Sequence, residues 1–351
     1  MDPPEHGRLT LLVEYALAKA DPVLAQGHPL GFDQLEAADM GMPERPNGVA
    51  RVISADPGNG ARGAHRPVVR QTDARFDVEG SDWRYVFNRR TGMVESMSID
   101  NRSLLTAPME VNLWRAPTDN DATIKEEWRK AEYDRASTRA LSCQLRTDQS
   151  KGLTTIKAGL SLVAPYIQPM GSILATWTLS DQGGLDLSME LHRDPEFPYL
   201  PRFGLRLFLP RSFQQVTYCG YGPYESYRDM HRASHYGVFR DTASGMVEHY
   251  LRPQENGSRY GCDYVLVEDD RSLLQAAGEG PISFNCSPYT QEELTAKGHD
   301  HELEECGSTV LCLDYATSGI GSNSCGPELD PAYRLDETDL VFGLHLRVRS
   351  K

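Results

Sequence analysis

Nowhere in this chain is there the long alternation of strands and amphipathic helices, about 250 residues of it, that a (β/α)8 barrel needs. No apolar run is long enough to span a bilayer. The N-terminus, Met1-Asp-Pro-Pro-Glu-His6, lacks the charged-then-apolar order of a secretion signal, so a cytoplasmic location is expected. Basic charge is scarce as well: 36 Lys and Arg stand against 50 Asp and Glu, a net charge of −14. That balance argues against nucleic acid and anionic membranes as partners, because phosphate binding needs concentrated cations. Neutral substrates such as sugars remain open. The seven cysteines are odd in number, scattered and without any C-x-x-C pair. Reduced thiols, mostly small core residues, are therefore expected, rather than a disulfide framework or structural zinc.

What is present is β-structure. The 351 residues suffice for a sizeable core, as two or three domains or one large β domain. Gly7 to about Leu35 begins with Leu9-Thr-Leu-Leu-Val-Glu-Tyr15, a plausible strand, and crosses Gly27-His-Pro29 into a second short apolar segment. Two strands alone leave their faces wet, so residues 1–39 read as the end of a domain whose front half is missing. Residues 40–72 hold Pro43, Pro46, Pro57 and Pro67 with no apolar periodicity, and read as a linker.

From Asp73 to the end, alternation of period two dominates. Leu185, Leu187, Met189 and Leu191 form one set; Phe203, Leu205, Leu207 and Leu209 a second; Phe342, Leu344, Leu346 and Val348 a third. Trp83, Tyr85 and Phe87 alternate more briefly. Such runs put one face on a core and the other toward solvent, as in antiparallel sheets. Turn formers such as Ser180-Asp-Gln-Gly-Gly184 separate them. One segment, Thr123–Ala136, predicts a helix, with Asp121 or Thr123 as its cap and Glu126 completing a capping box. An all-β, two-sheet sandwich follows.

Several motifs occur in order. Trp114-Arg-Ala-Pro-Thr-Asp-Asn-Asp121 is followed by Tyr221-Gly-Pro-Tyr-Glu-Ser-Tyr-Arg-Asp229 and Arg252-Pro-Gln-Glu-Asn-Gly-Ser-Arg259. Phe284-Asn-Cys-Ser-Pro-Tyr289 and His299-Asp-His301 come next, and Leu313-Asp-Tyr315 opens a stretch that runs through Gly319-Ile-Gly-Ser-Asn-Ser-Cys-Gly-Pro327. Together they resemble the C-terminal, small-chain domain of family-2 β-galactosidases. The resemblance implies a galactose mutarotase-like β-supersandwich over residues 73–351, preceded by a remnant of an immunoglobulin-like sandwich and the linker. It implies that the two catalytic carboxylates of a retaining glycosidase lie on a barrel domain outside this chain, with any Mg²⁺ or Na⁺, so no cofactor is expected here. The expected partners are a large chain, or upstream catalytic domains, and a galactoside such as lactose.

Within the chain, the resemblance makes the Gly319–Pro327 loop a rim element on the leaving-group side of the active site. Ser324 and Cys325 are candidate substrate contacts on it. Cys325 stands where some relatives carry a Trp that stacks on sugar. Asn120, in the compact polar loop Asp119–Asp121, is a third candidate. Glu225 and Glu255 lie in segments rich in glycine and aromatics, but the structural reading is preferred: Glu225 bonding backbone in a turn, Glu255 fixing a neighbouring loop. His231 and His235 fall on strand or loop, where a spacing of four does not converge on a metal. Tyr221, Tyr224 and Tyr227 read as a sugar-stacking strip or as ordinary sheet aromatics. Two alternatives stand beside the glycosidase reading: a free-standing carbohydrate-binding module, and an aldose 1-epimerase, which requires a His/carboxylate pair on the concave face.

Overall fold

The computed structural model describes residues 8–39, 67–322 and 327–351, in two units, residues 1–56 and 57–351. In the first unit β1 (Arg8–Ala16) and β2 (Pro29–Asp39) form an antiparallel pair. Leu11 faces Leu35 across it, and both stay more than half exposed, at 52% and 57%. A two-stranded ribbon cannot cover its own apolar face.

The second unit opens with a five-stranded antiparallel meander: β3 (Val68–Gln71), β4 (Arg75–Glu79), β5 (Trp83–Asn88), β6 (Val94–Ile99) and β7 (Arg102–Ser103), paired in that order. Val68–Gln71, which the sequence places at the end of the linker, thus pairs with β4. Its four residues, two valines followed by Arg70 and Gln71, carry no alternation, and only the ladder marks it as a strand. The meander packs through its aromatic face. Phe87 meets Trp177 edge-on at 5.7 Å, the Trp177 indole N–H donates to the Gly92 carbonyl at 3.0 Å, and the Tyr85 hydroxyl donates to the Gly183 carbonyl at 2.8 Å.

Next comes β8 (Ala107–Asn112), a 3₁₀ turn at Asp119–Asp121 and helix α1 (Ile124–Lys130). The hairpin series β9 (Ser137–Asp148), β10 (Leu153–Val163), β11 (Gly171–Ser180) and β12 (Leu185–Arg193) follows. The Ser180–Gly184 turn expected from the sequence joins β11 to β12, with Gly183 at φ +81°. Then come β13 (Arg202–Pro210), β14 (Gln215–Gly222), β15 (His235–Thr242), β16 (Arg259–Glu268) and β17 (Ser272–Ser287). A second short helix α2 (Gln291–Ala296), β18 (Ser308–Thr317) and β19 (Asp339–Ser350) complete the chain.

The long strand β17 joins two layers. Its first half, Ser272–Gly278, pairs with β19 and through it with β12, β11, β10 and β9. Its second half, Ser283–Ser287, pairs instead with β18, which leads to β13 and β8. Between the halves Glu279, Gly280 and Pro281 are exposed and outside both ladders. Proline has no N–H to give a ladder, and glycine permits the bend. The all-β, large antiparallel architecture expected from the alternation is what the chain forms. One continuous core lies beneath, from Phe76 and Trp83 of the meander to Leu313 and Leu346 near the C-terminus.

The helix differs from its sequence reading. It spans seven residues rather than fourteen, with a second 3₁₀ turn at Tyr133–Arg135, and Thr123 caps it without a side-chain hydrogen bond. Asp121 caps the preceding turn instead, accepting from the Thr118 backbone N–H at 2.9 Å.

Candidate functional site

The loop after β18 is held from both sides by charged groups, half-buried Asp229 on one and buried Arg115 on the other. Ser318 starts it: its hydroxyl donates to the Leu200 carbonyl at 2.6 Å and accepts the Leu335 N–H at 2.9 Å. The Gly319 N–H donates to the Tyr333 carbonyl at 2.9 Å. Beyond it the Asp229 carboxylate accepts the backbone N–H groups of Ile320, Gly321 and Ser322 and the Ser322 hydroxyl, each at 2.9 Å. Successive N–H groups curled around one anion form a nest. Burial pushes the Asp229 carboxyl up, but these hydrogen bonds outweigh it and hold the group below its ordinary range.

The opposite side of the loop rests on Arg115, which is fully buried. Its guanidinium donates to the Ser318 carbonyl, to the Gly319 carbonyl at 3.1 Å and to Asp121 Oδ1 at 2.7 Å. The guanidinium lies 5.1 Å from the centre of the Trp128 ring on α1. Trp128 in turn donates its indole N–H to the Tyr199 carbonyl at 2.8 Å, so the short helix serves as a floor under the arginine. Asn120 completes the clamp, donating its side-chain amide to the Ile320 carbonyl at 2.7 Å. The structure therefore places Asn120 against the loop backbone. Ser324 and Cys325 lie outside the described residues.

Asp229 and Arg115 were both inside motifs, yet no role was read for them from sequence. Each closes its motif's contact with a segment about 90 to 200 residues away. A lone charged residue beside turn formers gives no local signal of that.

The carboxylates tempting for catalysis are engaged elsewhere. Glu255 Oε1 accepts from Arg202 at 3.0 Å, and Asp314 Oδ2 accepts from the same guanidinium at 2.7 Å, with all three side chains at most 2% exposed. Glu255 Oε2 also accepts the Ala116 N–H at 3.3 Å, which ties the start of the polar loop to β13. Burial pushes the Asp314 carboxyl up to about 6, since one guanidinium compensates only one of two neighbouring carboxylates. Glu225 accepts the Gly257 N–H at 2.9 Å and the hydroxyls of Tyr250 and Tyr227. Burial raises its pKa above the ordinary range. Both glutamates hold loops, as the sequence reading preferred.

The three tyrosines diverge. Tyr227 is buried, Tyr224 is 61% exposed, and Tyr221 stacks on Tyr260 at 5.9 Å with 20° between the rings. His231 faces both of those rings and shares its Nδ1 with the Tyr227 carbonyl at 2.9 Å. His235 packs edge-on to Phe239. Among the described residues no three His, Cys, Asp or Glu side chains converge as metal ligands. His192–Asp339 and His249–Asp300 are close pairs with exposed imidazoles, while His345 meets Asp186 at 2.9 Å from a half-buried position.

A sequence profile described as "Beta galactosidase small chain" matches residues 79–346. The β-galactosidase of Actinobacillus pleuropneumoniae is 36% identical over 98% of this chain and 33% of its own length. That of Staphylococcus xylosus is 37% identical over 80% of this chain and 28% of its own. The chain thus spans about a third or less of these curated relatives. Among solved structures, a galactose 1-epimerase from Lactobacillus acidophilus NCFM aligns over 81% of this chain and 98% of its own, with 9% identity and a TM-score of 0.42. An α-mannosidase from Enterococcus faecalis V583 aligns over 98% of this chain and 36% of its own, with 8% identity and a TM-score of 0.45. A profile match over most of the length and a relative above a third identical across nearly the whole chain lead to one conclusion: the chain belongs to the β-galactosidase small-chain family.

Proposed function

We propose that this chain is the C-terminal domain, or small subunit, of a retaining β-galactosidase that hydrolyses terminal β-D-galactosides such as lactose. In this reading the nucleophile and acid/base sit on a barrel domain of a large chain that also carries sugar-binding and immunoglobulin-like domains. Mg²⁺ and Na⁺, where the assembled enzyme uses them, belong to that catalytic segment. The present chain lends its loop after β18 to the aglycone side of the pocket, where it orders the leaving sugar and excludes water.

The observation that carries this reading is the loop clamp. Arg115, Asn120 and Asp229 hold the backbone of five successive residues, Ser318 to Ser322, and the Ser318 and Ser322 hydroxyls add to that hold. That is the design of an element positioned for a partner surface, while the chain's own buried carboxylates are committed to arginine or backbone. The epimerase alternative has less support: the His192–Asp339 and His249–Asp300 pairs are exposed, and in the half-buried His345–Asp186 pair the carboxylate oxygen is shared with Arg347 at 2.8 Å.

The test is complementation. The isolated chain is expected to leave a chromogenic β-galactoside intact. Mixed with the A. pleuropneumoniae relative shortened by the third that matches this chain, it is expected to restore hydrolysis. Turnover by the isolated chain, or no recovery in a mixture shown to associate, overturns the proposal.

A further inference from the structure

A groove of about 310 Å³ runs beside the second half of β17 and the end of β18. Its walls include Arg228, Tyr260, Ser283, Tyr315, Thr317 and Glu337, with Pro281 of the β17 bend at its margin. The volume sits at the lower end of that for small-molecule sites. Its polar lining is the unusual feature. Among the described residues, the hydroxyls of Ser283, Thr317, Tyr260 and Tyr315 and the Glu337 carboxylate make no hydrogen bond. Arg228 makes a single long one, to the Arg334 carbonyl at 3.4 Å.

Ser283 and Thr317 are only 5% and 4% exposed, yet neither hydroxyl is among the fully enclosed orphan atoms. Their remaining exposure is therefore toward the groove. Hydroxyls this buried are ordinarily paired, so two of them without partners, on a groove also lined by half-buried Tyr260, Tyr315 and Arg228 and exposed Glu337, call for a ligand rich in hydroxyls.

The chemistry narrows the class. One guanidinium and one carboxylate leave the groove without net charge, which disfavours a phosphate or a cation. A carboxylate that accepts and a guanidinium that donates suit vicinal hydroxyls, and the two tyrosine rings offer apolar surface to the C–H face of a sugar. Tyr260 is already braced by Tyr221 and His231, so little ordering remains to be done on binding.

We propose that this groove is a hexopyranose-binding site, built from residues other than those of the clamp although Thr317 and Arg228 directly precede Ser318 and Asp229, and binding sugar without any hydrolysis. Saturation-transfer NMR on the intact chain, alone, with methyl β-D-galactopyranoside and methyl β-D-glucopyranoside, tests it. Ring protons of at least one glycoside are expected to receive saturation, with mannitol, an acyclic polyol, receiving less. Glu337→Gln and Thr317→Val are each expected to weaken the interaction about tenfold, the loss of a hydrogen bond to a polar ligand. Glu337 is exposed, so its substitution leaves the fold intact and decides the matter if the Thr317 variant unfolds. No transfer at tens of millimolar glycoside, equal transfer to mannitol, or binding undiminished in Glu337→Gln overturns the proposal; because no catalytic chain is present, none of these results bears on complementation.

Discussion

Gly319 lies so close over Asp229 that a Cβ at position 319 would fall inside the van der Waals radius of the aspartate carboxylate. Asp229 cannot retreat freely, because four donors from Ile320, Gly321 and Ser322 hold it. Gly319→Ala is therefore expected to destabilise the chain by about 1–3 kcal/mol, the usual range for overpacking. Amide exchange at residues 320–322 should accelerate with it. Unchanged protection of those amides would show that the contact has slack.

Asp229→Asn tests the charge in the clamp. The folded carboxyl is held below its ordinary pKa, so its stabilisation is present above the unfolded value of about 3.9 and is lost as pH falls through the folded value. Urea unfolding should show the wild type more stable than the variant at pH 7, with the gap narrowing as pH falls below the ordinary carboxylate range of about 3.9. A gap that stays the same across the acid range would mean that the carboxylate acts by shape alone. In the complemented enzyme the same variant should lower turnover.

Asp314 titrates with the opposite sign. Its folded pKa is raised to about 6, so the fold favours the protonated form. Its contribution is greatest below the unfolded value of about 3.9 and declines as pH rises to about 6, by roughly 3 kcal/mol. Asp314→Asn should therefore flatten stability against pH between about 4 and 6, as read by urea midpoints. Arg202→Met should be far more damaging. It leaves Glu255 and Asp314 buried without a counter-charge, an arrangement that costs about 3–5 kcal/mol.

The β1–β2 ribbon carries a prediction about solution behaviour. Leu11 and Leu35 face each other across the ladder and remain half exposed. Apolar surface of this kind promotes association. The double substitution Leu11→Ser and Leu35→Ser is expected to reduce self-association of the isolated chain in light scattering, with the thermal midpoint of the large unit unchanged. Equal association before and after the change would place the sticky surface elsewhere.

Period-two alternation marked β5, β12 and β19 from sequence, because in a strand the pleat itself sorts side chains to two faces. It also marked β13, but there it misled in one respect. Arg202 and Arg206 fall on the side that the alternation assigns to solvent, yet seven of the nine residues are buried and only Phe208 and Pro210 keep partial access. The arginines are buried because Glu255 and Asp314, and for Arg206 Glu110 and Glu292, come from distant segments to neutralise them. Helix α2 went unread since six residues span too few turns to show a helical period. Strand β3 went unread because its four residues, two adjacent valines and two polar residues, show no period-two alternation.

Composition and local pattern by themselves settled that this chain is all-β, with turns at glycine-rich breaks, since those depend on the geometry of neighbouring residues. The order of its motifs settled the family. Which strand bends between two layers, which aspartate becomes the seat of a loop about 90 residues further on, and which hydroxyls are left without partners in a groove were decided only by the tertiary structure. Those features depend on residues remote in sequence meeting at hydrogen-bonding distance, and no local propensity encodes such a meeting.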